Sequence, residues 1–140
     1  MKDLYVARTH VEQGRDGVVR SDDGQLDVRL AFPAALGGSG QGTNPEQLFA
    51  AGFSACFASA VRFAAGQKKL DAGAVTVDTE VTLFVREDGR YGLRADFAVK
   101  APGLSTDDVD AVIAEAKRIC AYTNATAGHV ETRFLVSSSD

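Results

Sequence analysis

Two side chains in this sequence are nucleophiles of the kind that redox chemistry uses, Cys56 and Cys120, and the chain has no other thiol. Cys56 lies in Phe53-Ser54-Ala55-Cys56-Phe57, and Cys120 opens the run Cys120-Ala121-Tyr122-Thr123-Asn124. A thiol attacks as its thiolate, which a nearby cation stabilises. Arg62 follows Cys56 by six residues, about 600° of helix, which turns it away from the sulfur. Arg15, in Gly14-Arg15-Asp16-Gly17, reads by itself as a solvated loop arginine, and Glu46 as an acid that complements a helix N-terminus. Either cysteine alone also reads as a small buried hydrophobe, because free Cys is among the most buried residue types. There is no Cys-x-x-Cys for a dithiol redox motif. His10 and His129 have no ligand spacing to either thiol, so a zinc site is poorly supported.

The elements that carry these residues give the thiols a way to meet. A first helix opens at Asn44-Pro45-Glu46-Gln47, where Asn44 suits the cap, Pro45 the first helical position and Gln47 a capping box, and it runs to about Gln67. From Leu48 to Ala65 only Ser54, Ser59 and Arg62 are polar. A helix without a polar face must be covered on every side, which calls for a partner subunit. A second helix is capped by Ser105-x-x-Asp108 and buries Val109, Val112, Ile113, Ala116 and Cys120. Cys120 thereby falls at a helix C-terminus, whose partial negative charge disfavours a thiolate.

Strands surround the helices. Leu4–Arg8, Val18–Arg20 and Leu26–Leu30 are candidates in the first third, the last two joined by Ser21-Asp22-Asp23-Gly24 as a hairpin. Val75–Arg86 alternates and returns through Leu93, Ala95, Phe97 and Val99, and Val130–Val136 closes the chain. The order β-β-β-α-β-β-α-β, joined by hairpins, predicts an α+β fold with antiparallel sheet. The glycine-rich run Gly37–Thr43 matches neither a dinucleotide fingerprint nor a phosphate loop and reads as a connector.

At 140 residues, with 45% hydrophobic and 24% charged side chains, the chain is expected to form one domain, residues 1–140. Its net charge of −4 argues against nucleic acid as a partner. Gln47–Val61 is too rich in Ala, Gly and Ser to suggest a bilayer span, and no secretory signal is evident, so the expectation is a cytoplasmic protein without a membrane partner.

The run Thr43-Asn44-Pro45-Glu46-Gln47-Leu48-Phe49-Ala50-Ala51-Gly52-Phe53-Ser54-Ala55-Cys56-Phe57 resembles the first signature of the Ohr/OsmC family. Cys120-Ala121-Tyr122-Thr123-Asn124-Ala125-Thr126-Ala127-Gly128 resembles the second, and the turn Gly14–Gly17 and the strand at Leu26–Val28 look like the organic hydroperoxide resistance branch. The resemblance implies a thiol-dependent peroxidase acting on organic hydroperoxides. It implies that Cys56 is the peroxidatic and Cys120 the resolving cysteine, joined in a disulfide on oxidation, with Arg15 and Glu46 tuning the thiolate. It further implies an intertwined homodimer with sheets around central helices, no bound cofactor, and a dihydrolipoamide-type dithiol on a lipoylated protein as reductant. Phe49, Phe53, Phe57 and Tyr122 are candidates for an apolar substrate pocket, with core packing equally served. Ala121 stands where the family usually has Pro, which loosens the exit from the second helix. Two other readings belong beside this one: the osmotic-stress branch, a peroxidase of different preference, and a non-catalytic binding module of the same fold. Glu46 precedes Cys56 by ten residues, about 15 Å along a helix, so Arg15 and Glu46 are expected to act on the Cys56 of a neighbouring subunit.

Overall fold

Period-two patterning near the start of the chain becomes three short strands. In the computed structural model, which describes residues 1–139, β1 (Thr9–Glu12), β2 (Val18–Ser21) and β3 (Asp27–Arg29) form an antiparallel sheet in that order. The expected hairpin at Ser21–Gly24 is present. Asp23 Oδ1 accepts from Ser21 Oγ at 2.6 Å and from Gln25 N at 3.0 Å, and Gly24 takes the positive φ of 75° that closes the turn. Leu4–Arg8, expected as a strand, lies outside the sheet: on that side β2 pairs only with Thr9–Glu12, and Leu4 and Tyr5 are exposed.

Contacts along the chain divide it into two compact units, Met1–Leu48 and the remainder from Phe49 onward. The first unit buries Val19, Leu30 and Ala31. Its glycine-rich connector returns the chain so that Leu30 bridges Thr43 in parallel.

α1 (Pro45–Gln67) starts where the capping residues place it: Asn44 Oδ1 accepts from Gln47 N at 2.9 Å. The Gln47 side chain does not return to Asn44; its Oε1 accepts from Thr43 Oγ1 at 2.7 Å. By length and composition alone α1 could cross a bilayer, longer than the stretch judged from sequence. In the second unit it behaves as a core helix on one side, with Phe53, Phe57, Ala60, Val61, Ala64 and Ala65 buried. Its other side, including Ala51, Ala55, Ser59, Arg62 and Phe63, is exposed.

The second sheet has the order β4-β5-β6, from β4 (Thr76–Val85), β5 (Tyr91–Lys100) and β6 (Glu131–Ser137). β4 and β5 form the expected antiparallel hairpin. β6 instead runs parallel to β5, Arg94 opposite Glu131 through Lys100 opposite Ser137, so this sheet is mixed and the antiparallel expectation is corrected for one strand pair. The connection from β5 to β6 contains α2 (Thr106–Ile119) and α3 (Ala121–Thr126), long enough for the crossover that a parallel pair requires. The α+β class stands.

Helix and sheet meet through aromatic rings. Phe53 lies 4.6 Å from Phe97 of β5, Phe57 lies 4.9 Å from Phe134 of β6, and Phe97 stacks on Phe134 at 4.6 Å. Phe53 and Phe57 are fully buried, each contributing roughly 1.5–3 kcal/mol of transfer free energy. From α2, Val109, Val112, Ile113 and Ala116 complete the same core.

Candidate functional site: a thiol pair and an arginine–glutamate pair

Cys120 is the residue between two helices. It is the C-cap of α2 and the N-cap of α3, with extended backbone (φ −65°, ψ 123°). Its N–H donates to Ala116 O at 2.9 Å and its carbonyl accepts from Asn124 N at 3.1 Å. The Asn124 side chain reaches back, Nδ2 donating to Arg118 O at 3.0 Å, so one residue closes the junction from both sides. Sequence patterning placed Cys120 on the last turn of one helix and missed α3. With the start of one helix and the end of another at the same backbone, the dipole argument against a Cys120 thiolate loses its force.

The junction delivers Cys120, 1% exposed, to the half-buried Cys56 of α1. The sulfurs lie 3.6 Å apart, with the Cys120 thiol donating to Cys56 Sγ. Both are free thiols. Closing that gap to the ~2.05 Å of a disulfide needs side-chain rotation rather than refolding. Adjacent thiols can pass between dithiol and disulfide, and of the two Cys56 is the more exposed.

Of the four aromatics proposed for an apolar pocket, Phe53 and Phe57 are core residues with no exposed surface. Phe49 is half-buried and Tyr122 is 36% exposed. The Tyr122 ring lies 5.6 Å from Phe53 and 6.4 Å from Phe49. On the next α3 residue, Thr123 Oγ1 is buried without a hydrogen-bond partner among the described residues.

The second charged candidate pair forms within the first unit. Gln13 and Gly14 take left-handed φ values of 65° and 58°, which turns the chain into the 3-10 turn Gly14–Asp16 that carries Arg15. Nothing lies within 4 Å of a Cβ built on Gly14, so its conformation and not crowding calls for glycine there. Arg15 Nη1 donates to Glu46 Oε2 at 2.9 Å and Nη2 to Oε1 at 2.5 Å, a two-pronged pair that fixes the guanidinium plane. The bond from Arg15 holds the Glu46 carboxyl below the usual carboxylate range against the opposing effect of burial, with the backbone at the start of α1 and the Arg15 charge adding to it. Glu46 is therefore ionised at neutral pH. The pairing of these two residues is intrachain; spacing alone gave no sign of it.

Among the described residues no group of three or more His, Cys, Asp and Glu side chains is placed to hold a metal ion. His10 is an exposed strand residue 3.2 Å from Glu12.

The fold is α+β and brings two free thiols, carried by separate helical segments, into contact. The model of the OsmC-like protein family matches residues 38–134, and the chain belongs to that family. It is 39% identical over 138 residues to the organic hydroperoxide resistance protein of Xanthomonas axonopodis pv. citri, covering 97% of this chain and 96% of that protein. Identity to the organic hydroperoxide resistance protein OhrA of Bacillus subtilis is 35% over 141 residues, covering 96% of each. Among solved structures, an organic hydroperoxide resistance protein OsmC from Legionella pneumophila superposes with a TM-score of 0.92 at 39% identity, covering 97% of this chain and 99% of that one.

Proposed function

We propose that the protein is a thiol peroxidase that reduces organic hydroperoxides to alcohols. The observation that carries this reading is the 3.6 Å contact between a half-buried and a buried free thiol, on a chain 39% and 35% identical to two relatives named for organic hydroperoxide resistance. Cys56, as thiolate, attacks the peroxide oxygen distal to the alkyl group; the O–O bond breaks, the alkoxide takes the proton that the thiol gave up and leaves as the alcohol, and Cys56 becomes a sulfenic acid. Cys120 then attacks Cys56 Sγ, the S–O bond breaks, and water leaves as the disulfide forms. Two electrons have passed from the dithiol to the peroxide. A dihydrolipoyl dithiol returns them by thiol–disulfide exchange, and no bound cofactor enters the cycle.

Arg15 and Glu46 have the chemistry to hold and release a thiolate. Glu46 fixes the guanidinium, and the cation stabilises the sulfur anion that attacks. The assembly in this reading is a homodimer in the cytoplasm. What supports a second copy is the exposed side of α1, where Phe63 is 60% exposed beside Ala51, Ala55 and Ser59 with no apolar cover.

The test is a peroxidase assay with cumene or fatty-acid hydroperoxide against hydrogen peroxide, driven by dihydrolipoamide. The reading expects turnover with a clear preference for the organic peroxides. Equal use of hydrogen peroxide would favour the osmotic-stress branch, and inert thiols a non-catalytic role.

A further inference from the structure

Gly52 and Cys56 are four residues apart on α1 and share a face of the helix. Helical side chains at this spacing occupy one strip of the helix surface, so Gly52 and Cys56 border the same face. The turn that contains Gly52 is occupied from outside. A Cβ on residue 52 would come within 2.5 Å of Tyr122 Oη, 3.1 Å of Cζ and 3.4 Å of Cε2. Glycine is otherwise a poor helix residue, and its φ here is not in the left-handed region, so the close approach of the ring accounts for it. Phe49 and Phe53, three before and one after Gly52, flank the same ring, which sits in a notch with aromatic walls.

Tyr122 is two residues past Cys120, and the segment between them is held. Cys120 N–H is bonded to Ala116 O, its carbonyl to Asn124 N, and Asn124 Nδ2 to Arg118 O. A ring that stays seated between Phe49 and Phe53 on this held segment ties the Cys120 junction to α1. We propose that Tyr122 is a positioning residue for the resolving thiol: its ring, seated on Gly52, registers the α2–α3 junction against α1 and keeps Cys120 within reach of Cys56. The proposal rests on the thiol-peroxidase reading for its biological consequence but not for its geometry. Where resolution is slow, the Cys56 sulfenic acid meets a second hydroperoxide, which transfers another oxygen to sulfur, leaves as its alcohol, and gives an irreversible sulfinic acid.

The test uses two readouts on the full chain. In a glutathione redox buffer, without peroxide, the equilibrium constant for the Cys56–Cys120 disulfide is measured for the wild type, Gly52→Ala, Tyr122→Ala, Tyr122→Phe and the double variant Gly52→Ala/Tyr122→Ala. Under excess cumene hydroperoxide, the sulfinic fraction of Cys56 is read by mass spectrometry. Gly52→Ala and Tyr122→Ala should each lower the disulfide equilibrium constant by roughly tenfold or more and raise the sulfinic fraction. Tyr122→Phe, which keeps the ring, should match the wild type. The double variant should be no worse than Tyr122→Ala, because the group that a Cβ at position 52 would strike is gone. Alanine favours the helix more than glycine, so a loss in Gly52→Ala at unchanged helical circular dichroism points to the ring. A wild-type equilibrium in Gly52→Ala, or losses that multiply in the double variant, would overturn the proposal. A wild type that consumes no cumene hydroperoxide would overturn the peroxidase reading alone, because the peroxide-free equilibrium decides the positioning claim by itself.

Discussion

Cys56 Sγ and Cys120 Sγ lie 3.6 Å apart although 64 positions separate them in the chain. Both are carried by helices that share a core with one sheet, α1 through Phe53 and Phe57, α2 through Val112 and Ala116. Oxidation should therefore join them within one chain. A non-reducing gel of the peroxide-treated protein is expected to show a compact monomer band, and a covalent dimer would contradict the assignment.

The two thiols should respond differently to removal. Cys56→Ser is expected to abolish peroxide consumption, because it removes the attacking atom. Cys120→Ser should consume a first equivalent per chain without turning over under a reductant that acts only on disulfides, any further consumption being the slower oxidation of Cys56 to the sulfinic acid. Stoichiometric titration with cumene hydroperoxide distinguishes the two, and equal behaviour of the variants would count against separate roles.

The Arg15–Glu46 pair predicts a signature in acid. The Glu46 carboxyl is depressed below its ordinary value of 4.5 in the folded protein, first by its bond to Arg15. A depressed carboxylate stabilises the fold above its unfolded value, and the contribution is lost as pH falls through the folded value. Glu46→Gln should be less stable than the wild type at pH 7 by on the order of 1 kcal/mol, since the pair is only partly buried. Melting temperatures from pH 7 to 3 should show the difference closing below pH 4.5. A constant difference across that range would show that the ionised carboxylate contributes nothing.

Much of this was legible in the sequence. Asn44 and Ser105 announced both long helices, because capping is local chemistry read from three or four residues. The Asp23-Gly24 turn announced its hairpin for the same reason. The direction of β6 was not legible: alternation of Thr132, Phe134 and Val136 shows which face is buried, but not which strand is the neighbour or how it runs. α3 escaped because its six residues are too few for a helical period, and Gly52 because a close approach leaves no periodic mark. Arg15 and Glu46 are 31 positions apart, each with a bland reading of its own, and only the resemblance to a family linked them.

Which thiol the arginine serves is decided by mixing subunits. Arg15→Ala and Cys56→Ser chains, each inactive alone, are combined in a verified heterodimer. If Arg15 of one chain acts on Cys56 of the other, one wild-type site is rebuilt and about half of the wild-type activity per dimer returns. No recovery would show that the arginine acts on the thiol of its own chain.

The central claim is that peroxide oxygen reaches Cys56 first and Cys120 resolves it. One equivalent of cumene hydroperoxide is added to the reduced wild type and to Cys120→Ser, sulfenic acid is trapped, and peptides are mapped by mass spectrometry. The account predicts a Cys56–Cys120 disulfide in the wild type and trapped sulfenic acid on Cys56 in the variant. Sulfenic acid on Cys120 of the wild type, with Cys56 untouched, would contradict it.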